Sequence, residues 1–339
     1  MNARDITDAT EWDALLATQP QAHPLQTWGW GEVKRTAGWG AKRIAVTEAD
    51  GTLRAAAQVL VRRVPRLPLS VTYIPRGPVI DPQDGAGLAE LMAAVDRYSR
   101  SIGAIFCKVD PAWFAGTPHV LTSAKFIPSG QTIQVTDSYT IDLKQSEEDL
   151  LAHMRGKTRQ HLRNAQKEGV QIVRDTTGEW LNTCYQIYLE TASRAHFGLH
   201  PAAYYEHIYR TYRAEQQYLY VAFVAEVPMA FLWMACFGQF AVEFYGGVSD
   251  AGQKSLANTL LKWHAIREMK NAGYALYDLN GRVTQGIGQF KTGFGPEASS
   301  WVGPFDRVYH PLMYQGWTRA LPLARRMIAP NSGTGNGVE

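Results

Sequence analysis

The feature that most constrains how this chain can fold is an order of predicted elements that occurs twice along the sequence. The first occurrence has three strand-forming segments, a helix and a further strand: AKRIAVTEADG, TLRAAAQVLVRRV, SVTYIPRGPVID, GLAELMAAVDRYSRSIG and AIFCKVDPAW. The second has the same order: YLYVAFVAEV, PMAFLWMACFGQ, FAVEFYGGVSD, ANTLLKWHAIREMKNAG and YALYDLNGR. Both helices end at a glycine that leads into an apolar strand carrying an aspartate, Asp110 or Asp278. We therefore predict two copies of one structural unit.

An antiparallel meander followed by a strand, helix, strand crossover is typical of an α/β or α+β sheet that is covered by helices. The same order occurs in Gcn5-related acyltransferases, so we predict two tandem domains of that type, with mixed sheets flanked by helices. This last step is an analogy of fold and says nothing by itself about chemistry. With 339 residues, of which 45% are hydrophobic, the chain is long enough to bury two cores.

Helical segments ahead of each meander set the predicted domain boundaries. They are Glu11 to Ala17 and Gly29 to Thr36 in the first copy, and Ser146 to Gly169, Gly178 to Ala195 and Pro201 to Glu215 in the second. The predicted domains are residues 1–144 and 145–301. Residues 302–330 supply a strand and an amphipathic helix that return to the first domain, and the Gly-rich residues 331–339 are predicted to be disordered.

Bulk properties exclude several classes of protein. The net charge of +3 indicates neither a DNA-binding nor a strongly acidic protein, so any site for an anionic partner must be local. The three cysteines, Cys107, Cys184 and Cys236, lie in apolar runs, which favours buried thiols in a reducing compartment over disulfides. We predict no metal site and no cofactor.

The N-terminal segment MNARDITDATEWDALL lacks the basic start and the apolar run of a secretory signal, so we expect a cytoplasmic protein. The segment from Tyr218 to Phe237 has about the length of a membrane span, but Glu226 and Pro228 lie at its centre. A charge and a helix breaker between strand-forming residues predict a β-hairpin. We therefore expect no transmembrane segment, with peripheral contact with a membrane as an open alternative. We also expect a monomer.

Short motifs follow one another along nearly the whole chain. They are LQTWGWGEVKRTAGW from Leu25, YIPRGPV from Tyr73, VDPAW from Val109, MRGKTRQHLRNAQKEGV from Met154, GLHPAAYY from Gly198, EFYGGVSD from Glu243, YDLNG from Tyr277 and IGQFKTGFG from Ile287. In this order they resemble the FemABX family, whose members transfer amino acids from aminoacyl-tRNA to peptidoglycan precursors. Since nothing sustains a heptad pattern, the chain resembles the compact subtype without a coiled-coil insertion.

The resemblance implies an aminoacyltransferase that needs no cofactor, because the ester of the donor, aminoacyl-tRNA, is already activated. The acceptor would be a side-chain amine in the stem peptide of a UDP-linked or lipid-linked muramyl peptide precursor, and the product an interpeptide bridge or branch. An acyl-CoA-dependent N-acyltransferase and an inert precursor-binding or tRNA-binding protein are the alternatives. The first needs a pyrophosphate-binding turn, and the nearest strings, QDGAG at Gln83 and RVTQGIG at Arg282, have the wrong spacing.

Three candidate catalytic residues lie at the ends of predicted strands or in a Gly-rich loop. Asp110 precedes a proline, so it could cap a turn; the resemblance implies that it lies in the substrate cleft and handles the attacking amine. Lys291 could be a loop cation without a role, whereas the resemblance matches Phe290 and Lys291 to a family pair. A fixed cation would stabilise the oxyanion of aminoacyl transfer, with Phe290 as a wall against solvent.

Candidate residues for binding the precursor occur in both halves. Lys34 is flanked by tryptophans and matches a precursor-binding lysine of the family; the alternative is a solvated surface lysine. Tyr73 and Arg76 end a predicted strand, where the guanidinium could pair with a phosphate or cap the strand. In the second half the resemblance implies three binding residues, His200, Tyr204 and Tyr245. For Tyr245 the alternative is packing in the core. Compact members often have arginine where this chain has His200, which is predicted to cap a helix opened by Pro201.

Four basic residues recur every fourth position opposite an apolar set: Arg155, Arg159, Arg163 and Lys167. On one helix they cover about a third of the circumference. Such a stripe is often a solvated face. A protein that holds the acceptor arm of tRNA needs local positive charge, so the resemblance favours contact with tRNA.

Overall fold

The computed structural model describes residues 1–281 and 285–328, which form two compact units. The first contains Met1–Thr136 and the described chain from Ser300, and the second contains Asp137–Ser299. The division lies at residue 136 rather than 144, because residues 137–142 are a strand of the second sheet. The segment 331–339, which was predicted to be disordered, lies outside the described residues.

The elements follow the doubled order. The first unit begins with β1 (Asn2–Asp5), α1 (Ala9–Ala17), α2 (Trp28–Thr36), β2 (Gly40–Thr47), β3 (Leu53–Arg63), β4 (Ser70–Arg76), β5 (Val79–Ile80), α3 (Gly85–Ser101), β6 (Ala104–Pro111) and β7 (Ile127–Pro128). The second unit has β8 (Asp137–Asp142), α4 (Glu147–His153), α5 (Gly156–Lys167), β9 (Gln171–Asp175), α6 (Leu181–Ala195), α7 (Ala202–Thr211), β10 (Gln217–Val224), β11 (Val227–Phe237), β12 (Phe240–Val248), α8 (Ala257–Asn271), β13 (Leu276–Asp278), α9 (Gln285–Thr292) and β14 (Glu297–Ser300). The chain then returns to the first unit with β15 (Phe305–Val308) and α10 (Pro311–Ile328).

The first sheet has the order β1-β2-β3-β4-β6-β15-β7, with β5 paired to β3. Strands β2, β3 and β4 form an antiparallel meander, and β4 pairs in parallel with β6 across the crossover helix α3. Helix α3 begins where the Asp84 side chain accepts the backbone N–H of Gly87, and it buries Leu88, Leu91 and Val95 against the sheet. The parallel register places Pro75 opposite Asp110.

The second sheet has the order β14-β8-β13-β12-β11-β10-β9. Its β10 and β11 confirm the predicted hairpin, whose turn contains Ala225 and Glu226 at φ 46° and 65°. Strands β12 and β13 pair in parallel across α8, as β4 and β6 do across α3. The two units therefore confirm the predicted repeat of a mixed sheet flanked by helices.

The structure also differs from the predicted elements. The helix predicted from Ser146 to Gly169 is two helices, because the backbone is extended at Met154 and Arg155. Helix α7 has Pro201 at its N-cap, so His200 precedes the cap instead of occupying it. The strands β1, β8 and β9 were not predicted. They are short and mostly polar, and their pairing depends on partners far away in the sequence.

Candidate functional site

Asp110 lies near the end of β6 and accepts two hydrogen bonds from the neighbouring strand β4. The hydroxyl of Tyr73 donates to Oδ2 at 2.6 Å, and the backbone N–H of Arg76 donates to Oδ1 at 2.7 Å. Arg76 has φ 49°, a left-handed conformation that is costly for a residue with a side chain. The bond to Asp110 helps to stabilise this backbone, so the structure brings the predicted residues Tyr73, Arg76 and Asp110 together.

Burial dominates the electrostatics of this group. It raises the pKa of Asp110, although the charge of Arg76 and the hydrogen bond from Tyr73 act in the opposite direction. Burial, followed by the charge of Asp110, raises the pKa of Tyr73 well above its ordinary value. Asp110 is therefore a carboxylate with increased affinity for a proton, which is the property needed in a general base.

The guanidinium of Arg76 is held by groups that the sequence did not reveal. Its Nη2 donates to the carbonyl of Val135 at 2.7 Å, and its Cζ lies 4.8 Å from the ring centroid of Trp301. Nearby, His23 accepts the N–H of Leu25 through Nδ1 at 3.1 Å. Burial and the charge of Arg76 lower the pKa of His23, so this imidazole is neutral at physiological pH.

Lys34 is 4% exposed in α2, so it is not a solvated surface lysine. Its ammonium lies 4.5 Å from the ring centroid of Trp30. The carbonyl of Lys34 accepts the N–H of Trp39 at 3.1 Å, and the ring of Trp39 packs 6.4 Å from that of Tyr73. The end of α2 therefore adjoins the group around Asp110.

In the second unit, Lys291 lies in α9 with its ammonium buried among backbone carbonyls. Nζ donates to the oxygens of Leu279, Asn280 and Gly281 at 2.5, 3.0 and 3.0 Å, so all three donors of the ammonium are used. Burial lowers the pKa of Lys291 to about 8, and the group is mostly protonated at neutral pH. An oxyanion would have to replace one of these carbonyls.

Phe290 is part-buried beside the core of the second unit. Its ring lies 5.4 Å from that of Phe294 and 5.6 Å from the ammonium of Lys262. Lys262 pairs with Glu243 in the interior, and sequence reasoning singled out neither residue. The available signal was one charge inside each of two apolar runs, AVEFY and LLKWHAI.

Asp278, the counterpart of Asp110 in the second copy, has different partners. Its Oδ1 accepts the hydroxyl of Ser138 and the backbone N–H of Asn280, the latter at 2.8 Å. A bond to the N–H two residues ahead is the turn-capping arrangement that was the alternative for Asp110. The repeat therefore preserves the position of the carboxylate but not its surroundings.

The remaining predicted binding residues of the second unit form an aromatic cluster. His200 and Tyr204 have ring centroids 4.1 Å apart, and Tyr205 lies 5.6 Å from Tyr204 and 5.0 Å from Tyr245. Among the described residues, neither of the buried hydroxyls of Tyr204 and Tyr245 forms a hydrogen bond of normal geometry, although the two phenols are close enough to affect each other's pKa. Burial raises the pKa of Tyr204 to about 12 and that of Tyr245 well above its ordinary value, so both phenols are neutral at physiological pH.

The basic stripe has two kinds of member. Arg155, Arg163 and Lys167 are exposed, and in the described part of the chain none forms an ion pair with a carboxylate. Arg159 instead donates through Nη1 to carbonyls at the end of α4, including that of Met154 at 2.5 Å. Arg159 therefore caps a neighbouring helix, and the other three are the residues left to bind an anion.

The described residues were also compared with what a disulfide, a metal site and a membrane-spanning helix require. All three cysteines are free and buried, and burial raises the pKa of Cys107 to about 12. Within residues 1–281 and 285–328, no cluster of three or more acidic, His or Cys side chains is suited to hold a metal ion. No helix in those ranges has both the length and the apolar character needed to cross a membrane.

Solved structures resemble this fold over nearly its whole length. A crystal structure of FemX has a TM-score of 0.86 at 22% identity and covers 93% of this chain and 99% of its own. A tandem GNAT protein of the clavulanic acid biosynthesis pathway has a TM-score of 0.52 at 13% identity, covering 90% and 97%. At these identities the likeness concerns the fold, and it confirms the predicted tandem acyltransferase-like architecture.

Curated relatives are similar in sequence over a shorter range. The lipid II:glycine glycyltransferase of Staphylococcus aureus (strain MRSA252) is 30% identical over 210 residues, which are 59% of this chain and 49% of that protein. Its namesake from Staphylococcus haemolyticus is 36% identical over 111 residues, or 33% and 26%. The chain thus spans at most about half the length of these relatives. The model of the FemAB family matches residues 7–125, 127–229 and 223–320, and the chain therefore belongs to the FemAB family.

Proposed function

We propose that the protein transfers an aminoacyl group from aminoacyl-tRNA to a side-chain amine in the stem peptide of a peptidoglycan precursor. The observation that carries this proposal is the buried carboxylate of Asp110, held by Tyr73 and Arg76 at the end of two parallel strands in a FemAB-family fold. The name of the staphylococcal relatives, lipid II:glycine glycyltransferase, supports a lipid-linked acceptor and glycine as one donor group.

Asp110 is the proposed general base, which takes a proton from the attacking amine. The amine nitrogen forms a bond to the ester carbonyl carbon, and its proton passes to the Asp110 carboxylate. The ester C–O bond then breaks, and the same proton goes to the ribose oxygen that leaves. The raised pKa of Asp110 supports this role, because burial makes the carboxylate a better proton acceptor than an exposed one.

Lys291 is proposed to stabilise the negative oxygen of the tetrahedral intermediate through its ammonium group. A buried ammonium acts on such a charge more strongly than a solvated one, since little water screens it. The oxyanion would replace the carbonyl of Asn280 or Gly281, which are its two longer hydrogen bonds at 3.0 Å. Phe290 keeps solvent from this ammonium.

Anionic groups of the precursor would be bound by Lys34 and Arg76 in the first unit. In the second unit, the phenol hydroxyls of Tyr204 and Tyr245 would donate to the precursor, with His200 packed beside Tyr204. The tRNA phosphates would be bound by the exposed residues of the basic stripe, Arg155, Arg163 and Lys167. No cofactor is assigned, because the ester already carries the activated acyl group.

Mass spectrometry of the product tests the proposal. The purified protein is incubated with total charged tRNA and with either the UDP-linked or the lipid-linked precursor, and the mass added to the peptide identifies the donated amino acid. Asp110→Asn should reduce the transfer rate by at least about a hundredfold. Asp50→Asn, which changes an exposed carboxylate in the β2–β3 turn, should leave it unchanged.

Absence of any added mass with either precursor and a complete set of charged tRNAs would overturn the proposal. Equal rates for Asp110→Asn and the unmodified protein would overturn the role of the carboxylate. Mass added from an acyl-CoA in the absence of tRNA would instead identify an acyl-CoA-dependent N-acyltransferase.

A further inference from the structure

We propose that Glu243 and Lys262 are positioning residues, which hold Tyr277 of β13, and with it the carbonyl groups that follow β13 and bind Lys291, and which act on that lysine through their charges. The inference rests on the proposed function, in which Lys291 stabilises the oxyanion. Neither residue is assigned any contact with substrate. They would act from the interior of the second unit, through residues 279–281, which follow β13.

The Glu243 carboxylate is the centre of a buried group of hydrogen-bonded side chains. Its Oε1 accepts both the ammonium of Lys262 and the hydroxyl of Tyr277, the latter at 2.8 Å. All three side chains are buried: Glu243 is 8% exposed, Lys262 5% and Tyr277 0%. One carboxylate oxygen therefore joins β12, α8 and β13 in the core.

Residues 279–281, directly after β13, connect this group to Lys291. The Asn280 side-chain amide donates to the backbone carbonyl of Glu243 at 2.9 Å, and the backbone carbonyl of Asn280 accepts the Lys291 ammonium at 3.0 Å. The carbonyls of Leu279 and Gly281 complete the set of acceptors around Nζ. Tyr277, which the Glu243 carboxylate holds, lies two residues before Leu279, so loss of that bond would let the acceptors of Lys291 move.

The buried pair also acts on Lys291 through its charges. The charged groups that act on Lys291 come from three elements: Glu243 on β12, Lys262 on α8 and Asp278 on β13. Burial lowers the pKa of Lys291 to about 8; Glu243 and Asp278 raise it, and Lys262 lowers it. The buried pair thus acts on the protonation of Lys291 through two opposed contributions.

Stability is a poor explanation for this pair. Two charges lose their hydration on burial, and an ion pair in a core is often no more stabilising than apolar side chains of similar volume. An apolar pair could fill the same space but could neither accept the hydroxyl of Tyr277 nor act on Lys291 through its charge.

The test measures the pKa of Lys291 directly, by NMR titration of protein labelled with ¹³C at lysine Cε, with the signal assigned through Lys291→Arg. Glu243→Gln removes a charge that favours the ammonium, so the pKa should fall. Lys262→Met removes a charge that opposes it, so the pKa should rise. The alkaline limb of the transfer rate should move in the same two directions.

The exposed ion pair between Arg267 and Glu147, with 2.9 Å between Arg267 Nε and Glu147 Oε2, provides a matched control because Arg267 is also on α8. Arg267→Met and Glu147→Gln should leave the pKa of Lys291 unchanged. Shifts in one direction for both Glu243→Gln and Lys262→Met, or no shift in either, would overturn the inference.

A second variant covers the case in which a lone buried charge prevents folding. Tyr277→Phe removes one bond to Glu243 without creating a charge, and it should lower kcat about tenfold with KM unchanged. An unchanged kcat would overturn the inference. The NMR titration needs no substrate, so opposite shifts in a protein that transfers nothing would support the positioning and reject only the proposed function.

Discussion

Tyr73 and Asp110 lie on the adjacent parallel strands β4 and β6, and the tyrosine hydroxyl donates to the aspartate Oδ2 at 2.6 Å. The two residues are separated in sequence by the whole crossover helix α3. Because both are buried, the bond has little competition from water, and each group alters the pKa of the other.

Tyr73→Phe is expected to raise the pKa of Asp110, since the hydrogen bond from Tyr73 stabilises the ionised carboxylate. If Asp110 acts as a base, the acid limb of kcat/KM should move to higher pH, and the rate should recover well above that limb. The measurement is a pH profile of aminoacyl transfer. Tyr220→Phe is the control, because the buried hydroxyl of Tyr220 has no hydrogen-bond partner among the described residues; a shift equal to that of Tyr73→Phe would contradict the prediction.

Arg159→Ala and Arg163→Ala should have different effects although both residues belong to the basic stripe. Arg159 donates to carbonyls of Leu151, Ala152 and Met154, so its loss should cost about 1.5–3 kcal/mol of unfolding free energy. Arg163 is exposed, and its loss should change stability by less than about 0.5 kcal/mol. Urea denaturation measures both values.

For tRNA binding, Arg163 should matter more than Arg159, which is the reverse of their order for stability. Arg163→Ala is expected to weaken tRNA binding and to reduce the slope of log affinity against log salt by about one. Filter binding or anisotropy over a range of salt concentrations measures that slope. An unchanged slope in Arg155→Ala, Arg163→Ala and Lys167→Ala alike would exclude the stripe as the tRNA contact.

Gly295→Ala should destabilise the second unit severely. Gly295 has φ 72°, and an added Cβ would collide with the carbonyl oxygen of His153. We expect a loss of at least about 2 kcal/mol, from the left-handed conformation and the clash together. Gly116→Ala is matched in φ, at 85°, but has open space around the added atom and should cost only about 1 kcal/mol. Equal losses in thermal or urea unfolding would show that the clash is relieved.

His23 should make the protein less stable in acid. Its pKa is lowered in the folded state, so the unfolded chain binds the proton more readily once the pH falls below about 6.5. Unfolding free energy should therefore decrease below that pH, with a slope of at most about 1.4 kcal/mol per pH unit from this group. His23→Asn keeps an acceptor at the cap of the short helix Pro24–Gln26 and should lack this contribution. The difference between the two proteins at pH 7.5 and pH 5 measures it.

Local patterns in the sequence were sufficient to predict much of the fold. The doubled order of elements, the hairpin around Glu226 and Pro228, and an aspartate at the end of β6 all depend on residues close together in the chain. Periodicity, turn residues and proline act over a few positions, so they can be recognised without knowing which strands pair. The sequence alone therefore determined the number of units, their type and several candidate side chains.

Only the tertiary structure decided what surrounds those side chains. The pairing of β4 with β6 brings Tyr73 to Asp110, the burial of α9 commits the three donors of Lys291, and the break before α5 turns Arg159 into a helix cap. The same holds for Glu243, which meets its partners from α8 and β13 in the core. Hydrogen bonds, pKa values and exposure depend on groups that are distant in sequence and adjacent in space, and no local pattern specifies them.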